Sequence, residues 1–257
     1  MKKKLLLFSC LIFLSGLLAA QKASFVHEGE IVFEKTVNIH AVLKKGIDAR
    51  DANRIAAYEQ YKKTQPQFLV QKSKLAFTKI KTAYLPEVST AGSSLSYFGL
   101  NARYLQINKV FTNLSTDSVV VEKEFLSQRF LVKDKVLPIK WKITNETREI
   151  AGYLCRRANG LIKDSIYVVA FYTTKIPVPS GPESIHGLPG MILGVAMPYE
   201  NVTWFATTVT EKKNAESQFI ASKKGKVATR IELEDTLRKF LKSISAFSEY
   251  TLLGYLL

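Results

Sequence analysis

The chain has 257 residues, with 37 Lys and Arg against 22 Asp and Glu, and two cysteines. This length allows one large β domain or two small ones, and so few cysteines exclude a fold held together by a disulfide framework. The formal net charge of +15 favours anionic partners. Because Lys and Arg are spread along the chain rather than clustered with aromatic residues, a nucleic-acid-binding protein is not expected.

The first twenty residues have the three parts of a secretory signal peptide. Lys2, Lys3 and Lys4 are basic, residues 5–18 are mostly apolar, and small residues precede Gln21. The apolar run of about 14 residues is shorter than the roughly 20 that a membrane-spanning helix needs. We therefore predict a signal peptide at residues 1–20 and no transmembrane segment after its cleavage. Lipidation of Cys10 is the weaker alternative, because too few apolar residues precede it.

Cleavage would change both the cysteine content and the charge. It removes Cys10, so Cys155 becomes the only cysteine and no internal disulfide can form. It also removes three lysines, so 34 − 22 leaves a net charge of +12. We expect a protein of the periplasm or the outer-membrane face, or a secreted one. Its candidate partners are an outer-membrane protein, lipid or another anionic envelope component, with a merely solvated basic surface as the alternative.

Alternating apolar and polar residues dominate the chain from residue 31 onward. Ile31, Phe33, Val37 and Ile39 share one face of a predicted strand at 31–39. Short polar or Gly-containing turns separate several similar segments, as β-hairpins require, and one-sided apolar faces are typical of an antiparallel sheet. The further strands are predicted near 68–84, 103–112, 118–133, 139–144, 150–158, 165–173, 190–197 and 201–210.

Two segments have helical rather than strand patterns. Residues 48–64 begin at a candidate cap, Asp48, avoid runs of β-branched residues and stop before Pro66. Residues 232–247 carry a single apolar stripe with basic residues opposite and acidic residues in the first turn. The apolar C-terminal stretch from Tyr250 to Leu257 is too short to span a membrane, and we expect it to pack on the sheet. No linker or repeat divides the chain, which predicts one domain at residues 21–257.

The segment 176–190 contains half of the eight prolines of the chain, interleaved with glycines. Proline fixes φ and lacks an N–H donor, while glycine permits positive φ, so this segment can be neither a regular strand nor a helix. It is predicted to be a rigid loop that leads into the strand beginning near Met191.

Within that loop, the string Gly187-Leu188-Pro189-Gly190-Met191-Ile192-Leu193 resembles the signature of the GLPGLI family of exported Bacteroidetes proteins, with Met191 in place of Leu. The resemblance continues upstream in spaced matches that include Trp141, Gly152, Tyr153 and Cys155. These matches lie at 141–144 (W-x-I-T), 150–158 (I-x-G-Y-x-C-x-x-A), 172–173 (aromatic-Thr), 176–177 (I-P) and 181–182 (G-P). The family's activity is not established, so the resemblance implies no catalytic residue and no cofactor.

The loop has two possible roles. In the structural one, Gly181, Pro182, Gly187, Pro189 and Gly190 close one end of the sheet, and Leu188 fills the core. In the functional one, the rigid loop, with His186, is a docking surface for a partner, since a preorganised loop binds at low entropic cost. The structural role is favoured, although the two are compatible.

No catalytic or metal-binding constellation is visible in the sequence. His186 has only Glu183 and Ser184 nearby as candidates for a catalytic arrangement, and His27 and His40 are isolated. Spacings typical of metal ligands are absent, so no metal and no cofactor are expected. Cys155 is predicted to be a buried, inert thiol, with pairing to another chain as the alternative.

We therefore expect a mainly β (α+β) fold, a single curved antiparallel sheet or half-open barrel with a helix packed on it, similar to lipoprotein-carrier folds. Likeness of fold carries no function by itself. The expected function is non-catalytic: a binding or docking module for an apolar or amphiphilic ligand or an outer-membrane partner. A hydrolase or peptide-processing enzyme is the alternative. A carrier needs a concave apolar cleft, whereas an enzyme needs convergent titratable groups in a pocket.

Overall fold

The computed structural model describes residues 25–87, 106–125 and 127–243, together with Leu252 and Leu256. These residues form twelve strands joined in one sheet. The predicted signal peptide lies outside them. In chain order the strands are β1 (Gly29–Asn38), β2 (Phe68–Phe77), β3 (Lys81–Pro86), β4 (Lys109–Asn113), β5 (Ser118–Phe125), β6 (Gln128–Lys135), β7 (Lys140–Ile150), β8 (Tyr153–Ile162), β9 (Ile166–Thr173), β10 (Met191–Met197), β11 (Val202–Glu211) and β12 (Lys226–Ala228).

The strand order is β12-β6-β5-β4-β3-β2-β1-β11-β10-β9-β8-β7, which leaves β12 and β7 as the two edges. The pairs are antiparallel except that β12 runs parallel to β6. The sheet is strongly curved, since side chains from β1, β5, β8 and β11 line one interior space. Register shifts in the β1–β11, β9–β10 and β7–β8 pairs are bulges, which increase local twist and bending. The predicted curved, mostly β architecture is confirmed. The parallel β12–β6 pair is the exception to the predicted antiparallel arrangement.

Most predicted strands are present, but two of them divide into hairpins. The segment near 68–84 separates into β2 and β3, and that near 118–133 into β5 and β6. The turn after β5 contains Ser127, which has a φ of 61°, so the chain reverses there. Residues 103–105 of another predicted strand lie outside the described part. Strand β12 has only three residues and was not predicted.

Three α-helices occur in the described part: α1 (Ile39–Lys45), α2 (Ala52–Thr64) and α3 (Arg230–Ser243). Helix α1 was missed, because Ile39 continues the strand's apolar alternation. The strand ends at Asn38, whose side chain accepts a hydrogen bond from the Ala41 N–H and caps the helix. Helix α2 begins later than predicted, since its cap is Asp51 rather than Asp48.

Helix α3 packs its apolar stripe on the sheet, as predicted. Leu233, Leu237 and Leu241 are buried, and the Phe240 ring meets the Phe125 ring edge-on at 5.2 Å. The helix starts two residues before the expected Glu232, because Thr229 and Glu232 form a capping box: each side chain accepts a hydrogen bond from the other's backbone N–H. Residues 244–247 of the predicted helix lie outside the described part. Within the C-terminal stretch, Leu252 belongs to the core.

Two ion pairs attach helix α3 to different parts of the sheet. Arg230 pairs with Asp134 on β6 at 3.6 Å, and Lys163, in the turn after β8, pairs with Glu234 at 3.2 Å. Strand β6 lies beside one edge of the sheet and β8 beside the other. The helix therefore bridges the two ends of the curved sheet and encloses the space between them.

Candidate functional site

The Pro- and Gly-rich loop between β9 and β10 lies across the concave face of the sheet. The Ser180 hydroxyl donates a hydrogen bond to the Thr82 hydroxyl on β3 at 3.2 Å. Backbone N–H groups of Met191 and Ile192 donate to the carbonyls of Ile176 and Ser180. The apolar side chains of the loop are buried in the core: Ile176, Val178, Ile185 and Leu188. The loop is thus an inner layer of the molecule as well as a connection.

Glycine is required at two positions of this loop by close contacts. A Cβ on Gly190, whose φ is 152°, would overlap the Thr173 carbonyl oxygen. A Cβ on Gly181 would lie 2.8 Å from both the Ile185 carbonyl oxygen and the Ile192 Cβ. Glu183 follows with a φ of 56°, a left-handed conformation uncommon for a residue with a side chain. This conformation places the Glu183 carboxylate under the loop, toward β1.

A cavity of about 330 Å³ lies between the sheet, the loop and helix α3. Its wall is mainly apolar. Polar and charged groups also line it, among them Glu183 and Lys35 of β1. The apolar lining residues are Val119, Val121, Val132, Val136, Leu137, Pro138, Ile139, Leu161, Ile162, Ile185, Met197, Val202, Trp204, Leu233 and Leu256.

Glu183 is the acidic member of a buried charged cluster. Its Oε1 lies 3.4 Å from the Lys35 ammonium, and its Oε2 accepts a hydrogen bond from the Asn108 side-chain amide at 3.4 Å. Only 6% of the Lys35 side chain and 9% of the Glu183 side chain are exposed. The ammonium also lies 5.1 Å from the centre of the Trp204 ring, a cation–π distance. The cost of burying this lysine is therefore offset by a carboxylate and an aromatic face.

Lys123, on β5, is the second buried lysine of the cluster. Its ammonium donates to the Gln106 side-chain oxygen at 3.4 Å. Burial lowers its pKa to about 7, because the low-polarity interior disfavours the charged form, while Glu183 acts in the opposite direction. This lysine can therefore gain or lose a proton near neutral pH.

Tyr84 lies deeper in the same interior, and its pKa is raised well above the usual value by burial and by the Glu183 charge. Its phenol therefore stays protonated. The Ser73 hydroxyl and the Trp204 indole N–H are close to it, but among the described residues neither forms a hydrogen bond of ordinary geometry. Trp204 lines the cavity, whereas its indole N–H is buried beside Tyr84.

His186 lies in the cavity wall at the end of the loop. Burial lowers its pKa, partly opposed by a hydrogen bond to the Leu137 backbone. Its Nε2 is buried and has no hydrogen-bond partner in the described part of the chain. Its backbone carbonyl accepts a hydrogen bond from the Trp141 indole at 2.9 Å, which joins the loop to β7. The structure thus brings His186, Gly187 and Trp141 together.

The remaining motif residues lie outside the cavity. Gly152 occupies the β7–β8 turn with a φ of 81°, and Tyr153 follows it at the start of β8. Cys155 is fully buried, its thiol donates to the Tyr153 carbonyl at 3.4 Å, and burial raises its pKa to about 12. In the loop, Gly181 and Pro182 are buried, whereas Gly187 and Pro189 are exposed.

Among the described residues, no group of three or more His, Cys, Asp or Glu side chains could hold a metal ion. His40 contacts the Gln65 carbonyl and the Tyr61 ring, and His27 lies beside Phe25. Likewise, none of the helices in the ranges that the structure describes has the length and apolar character needed to cross a bilayer.

Sequence reasoning missed the two buried lysines, although the pattern contained a signal for both. Lys35 has the same parity as Ile31, Phe33 and Val37, so it points inward with them. Lys123 likewise shares a face with Val119 and Val121. A lysine in phase with an apolar face is unusual, because Lys is rarely buried without a partner. Their meeting with Glu183 depends on the folded loop.

Residues 160–194 match one family model, described as a protein of unknown function (Porph_ging). The Porph_ging match runs from the end of β8 through the loop to β10, and so includes residues 187–193 and Glu183. Trp141, Gly152, Tyr153 and Cys155 lie upstream of it. No curated protein matches the chain significantly.

Solved structures with a similar fold include two of PNGF-II. They match with TM-scores of 0.51 and 0.52 at 16% and 15% identity, each over 82% of this chain. The chain spans only about a third of those chains, 33% and 32% of their length. An uncharacterized conserved protein from Thermus thermophilus matches at a TM-score of 0.40, with 6% identity over 84% of this chain and 98% of that one. The PNGF-II likeness supports the β-rich fold.

Proposed function

We propose that this chain is an exported envelope protein of the GLPGLI type that binds an apolar or amphiphilic ligand in its interior cavity. The observation that carries this proposal is the cavity itself: a concave, mostly apolar space whose wall also includes polar groups that can orient a ligand. The GLPGLI assignment is supported by the family match over the loop that forms the cavity's inner wall.

The size of the cavity limits the ligand. Ligand pockets commonly enclose roughly 300–1,000 Å³, and a cavity of about 330 Å³ is at the lower end of that range. It is suited to one small molecule or one acyl chain rather than to a lipid with two chains. Burying each methylene group of such a chain contributes about 0.8 kcal/mol.

Catalysis is the alternative, because the cavity contains titratable as well as apolar groups. Binding is favoured by how those groups are used: Glu183 is already engaged by Lys35 and Asn108. The Cys155 thiol lies outside the cavity and is held protonated by burial. Hydrolysis of an ester or amide panel by the purified protein, abolished in Glu183→Gln, would favour the enzyme instead.

We also propose the location that the sequence predicts: the periplasm, the outer-membrane face or the outside of the cell. The charge of +12 after signal cleavage suits a protein that works near anionic lipid or an outer-membrane protein. The exposed residues of the loop, Gly187 and Pro189, are the candidates for contact with such a partner.

Thermal unfolding of the mature chain with and without single-chain amphiphiles tests the proposal. A ligand present at about 100 times its Kd should stabilise the folded state by about 2.7 kcal/mol, which raises Tm by several degrees. Val121→Phe, which adds volume inside the cavity, should abolish the shift, whereas the control Val227→Phe, on an exposed side chain, should retain it. An unchanged Tm of the wild-type protein with every amphiphile would contradict the proposal.

A further inference from the structure

Two buried lysines, Lys35 and Lys123, line the cavity beside a single carboxylate, that of Glu183. Among the described residues, the whole lining includes five basic side chains and three acidic ones. Two of the basic groups, Lys163 and Arg230, pair with acidic residues outside the lining. The basic lining residues are Lys35, Lys123, Lys140, Lys163 and Arg230, and the acidic ones are Asp164, Glu183 and Glu200.

Lys35 makes a long contact with its carboxylate partner. Its ammonium lies 3.4 Å from Glu183, whereas a well-formed charge-assisted hydrogen bond has a length of about 2.7–2.9 Å. Lysine side chains are flexible, so the ammonium groups of Lys35 and Lys123 can turn toward an anion in the cavity.

The apolar wall begins immediately beside these lysines. Val119 and Val121 precede Lys123 on the inward face of β5, and Val202 and Trp204 face the interior from β11. The Trp204 ring lies under the Lys35 ammonium. The cavity therefore presents two buried ammonium groups directly beside apolar surface, as the binding of an amphiphile with a negative head requires.

We propose that the cavity selects a single-chain amphiphile whose head group is an anion, a carboxylate or a phosphate, held by Lys35 and Lys123. The chain lies against the valines of β5 and the apolar residues of β11. This inference rests on the proposed binding function and adds the chemistry of the head group and the residues that recognise it.

Binding of an anion should be linked to proton uptake by Lys123. Its pKa in the ligand-free protein is about 7, and a bound anion would raise it. The charged groups that act on Lys123 are Glu183 from the loop, Lys35 from β1, Lys163 from the β8–β9 turn and Arg230 from α3. His186 also lines the cavity, but burial lowers its pKa, so it is largely neutral in the same pH range.

Titration calorimetry with four ligands of equal chain length tests the inference: decanoate, decyl phosphate, decanol and decylamine, each below its micelle-forming concentration. At pH near 6, we expect the two anions to bind about tenfold or more tightly than decanol, and decylamine to bind most weakly. At pH near 8, titrations in two buffers of different ionisation enthalpy should show uptake of close to one proton per bound anion. At pH near 6 the uptake should be small, since Lys123 is already charged.

Three variants identify the group that causes the anion preference and the proton uptake. Lys123→Met should lose both the anion preference and the proton uptake while it still binds decanol. Lys133→Met, on the exposed face of β6, is the matched control and should behave as the wild type. His186→Gln should retain the proton uptake.

The outcomes separate the two proposals. If decanol binds as tightly as decanoate, or if Lys123→Met keeps the preference, the cavity binds amphiphiles but this head-group site is wrong. If none of the four ligands binds to the folded protein, the proposed binding function itself fails.

Discussion

Lys123 carries an energetic cost that depends on pH. Its pKa is about 7 in the folded protein, against an ordinary value of 10.5, so the unfolded chain binds more protons between these values. Stability rises with pH wherever the unfolded state binds more protons. The contribution of this lysine to the free energy of unfolding is therefore most unfavourable below pH 7, and the penalty declines as pH rises toward 10.5.

Lys123→Met should remove this penalty. We expect the variant to be more stable than the wild type at pH 7, by about 1–4 kcal/mol, because replacing a buried charge with an apolar group of similar volume is often stabilising. The difference should shrink as pH rises toward 10. Urea unfolding over this pH range measures it, and Lys133→Met is the control. A difference that stays constant with pH would show that Lys123 does not titrate as described.

A substitution at Gly190 tests whether folding depends on the loop between β9 and β10. Gly190→Val should prevent folding, because the new side chain would overlap the Thr173 backbone at a φ of 152°. The expected cost of about 4 kcal/mol or more is a large part of the usual stability of a domain. Circular dichroism and size-exclusion chromatography report the outcome.

Gly152→Ala is the matched control for that change. Gly152 also has a positive φ, 81°, but a Cβ there meets no atom within 4 Å. Its cost should be about 1 kcal/mol, from backbone conformation alone. If Gly190→Val folds normally but no longer binds a partner, the result favours the docking role of the loop over its structural role.

At the scale of elements, helix α3 closes the open side of the sheet. It joins β6 through Arg230 and Asp134 and the β8–β9 turn through Lys163 and Glu234. Both ion pairs are partly exposed, and such pairs contribute little. The stability of this closure should come from the buried leucines.

Leu237→Ala should destabilise the protein by about 2–4 kcal/mol, because Leu237 is fully buried and its truncation leaves a cavity. Ile231→Ala, on the same helix but 73% exposed, should change the free energy of unfolding by no more than about 0.5 kcal/mol. Denaturant unfolding compares the two. Equal effects would show that the helix does not pack as described.

The strands were predictable where one face is apolar and the other polar. Period-two alternation located β1 and most later strands, and one apolar stripe located α3. The predicted element boundaries were wrong where a capping interaction sets the start of a helix. The Asn38 side chain caps α1 within a predicted strand, and the capping box of Thr229 and Glu232 begins α3 earlier than predicted. Strand β12 was missed because three residues give no pattern.

The candidate site was less predictable than the fold. The sequence marked residues 176–190 as a special loop, but gave no reason to connect Glu183 with Lys35, which is 148 positions away. The phase of Lys35 and Lys123 with apolar residues was a usable local signal. Their convergence is a property of the curved sheet, which brings β1 and β5 to the same interior space.

At the scale of the whole molecule, a curved sheet, an inner loop and a bridging helix enclose a mostly apolar space that two buried lysines also line. The same curvature that hides the core of a large β domain leaves room for a ligand. Substitutions in the cavity wall that leave the loop and α3 intact should therefore weaken ligand binding while the protein still folds. Their effect on binding can then be measured apart from any effect on stability.

The fluorescence of Trp204 tests the central claim most directly, because this side chain lines the cavity beside Lys35. In Trp141→Phe it is the only tryptophan of the chain. Titration with a decanoate that carries bromine, a quencher of indole emission, should give saturable quenching that fits one site per chain. Unlabelled decanoate should reverse it. Quenching that rises only linearly with concentration, or is unaffected by unlabelled ligand, would contradict binding in the cavity.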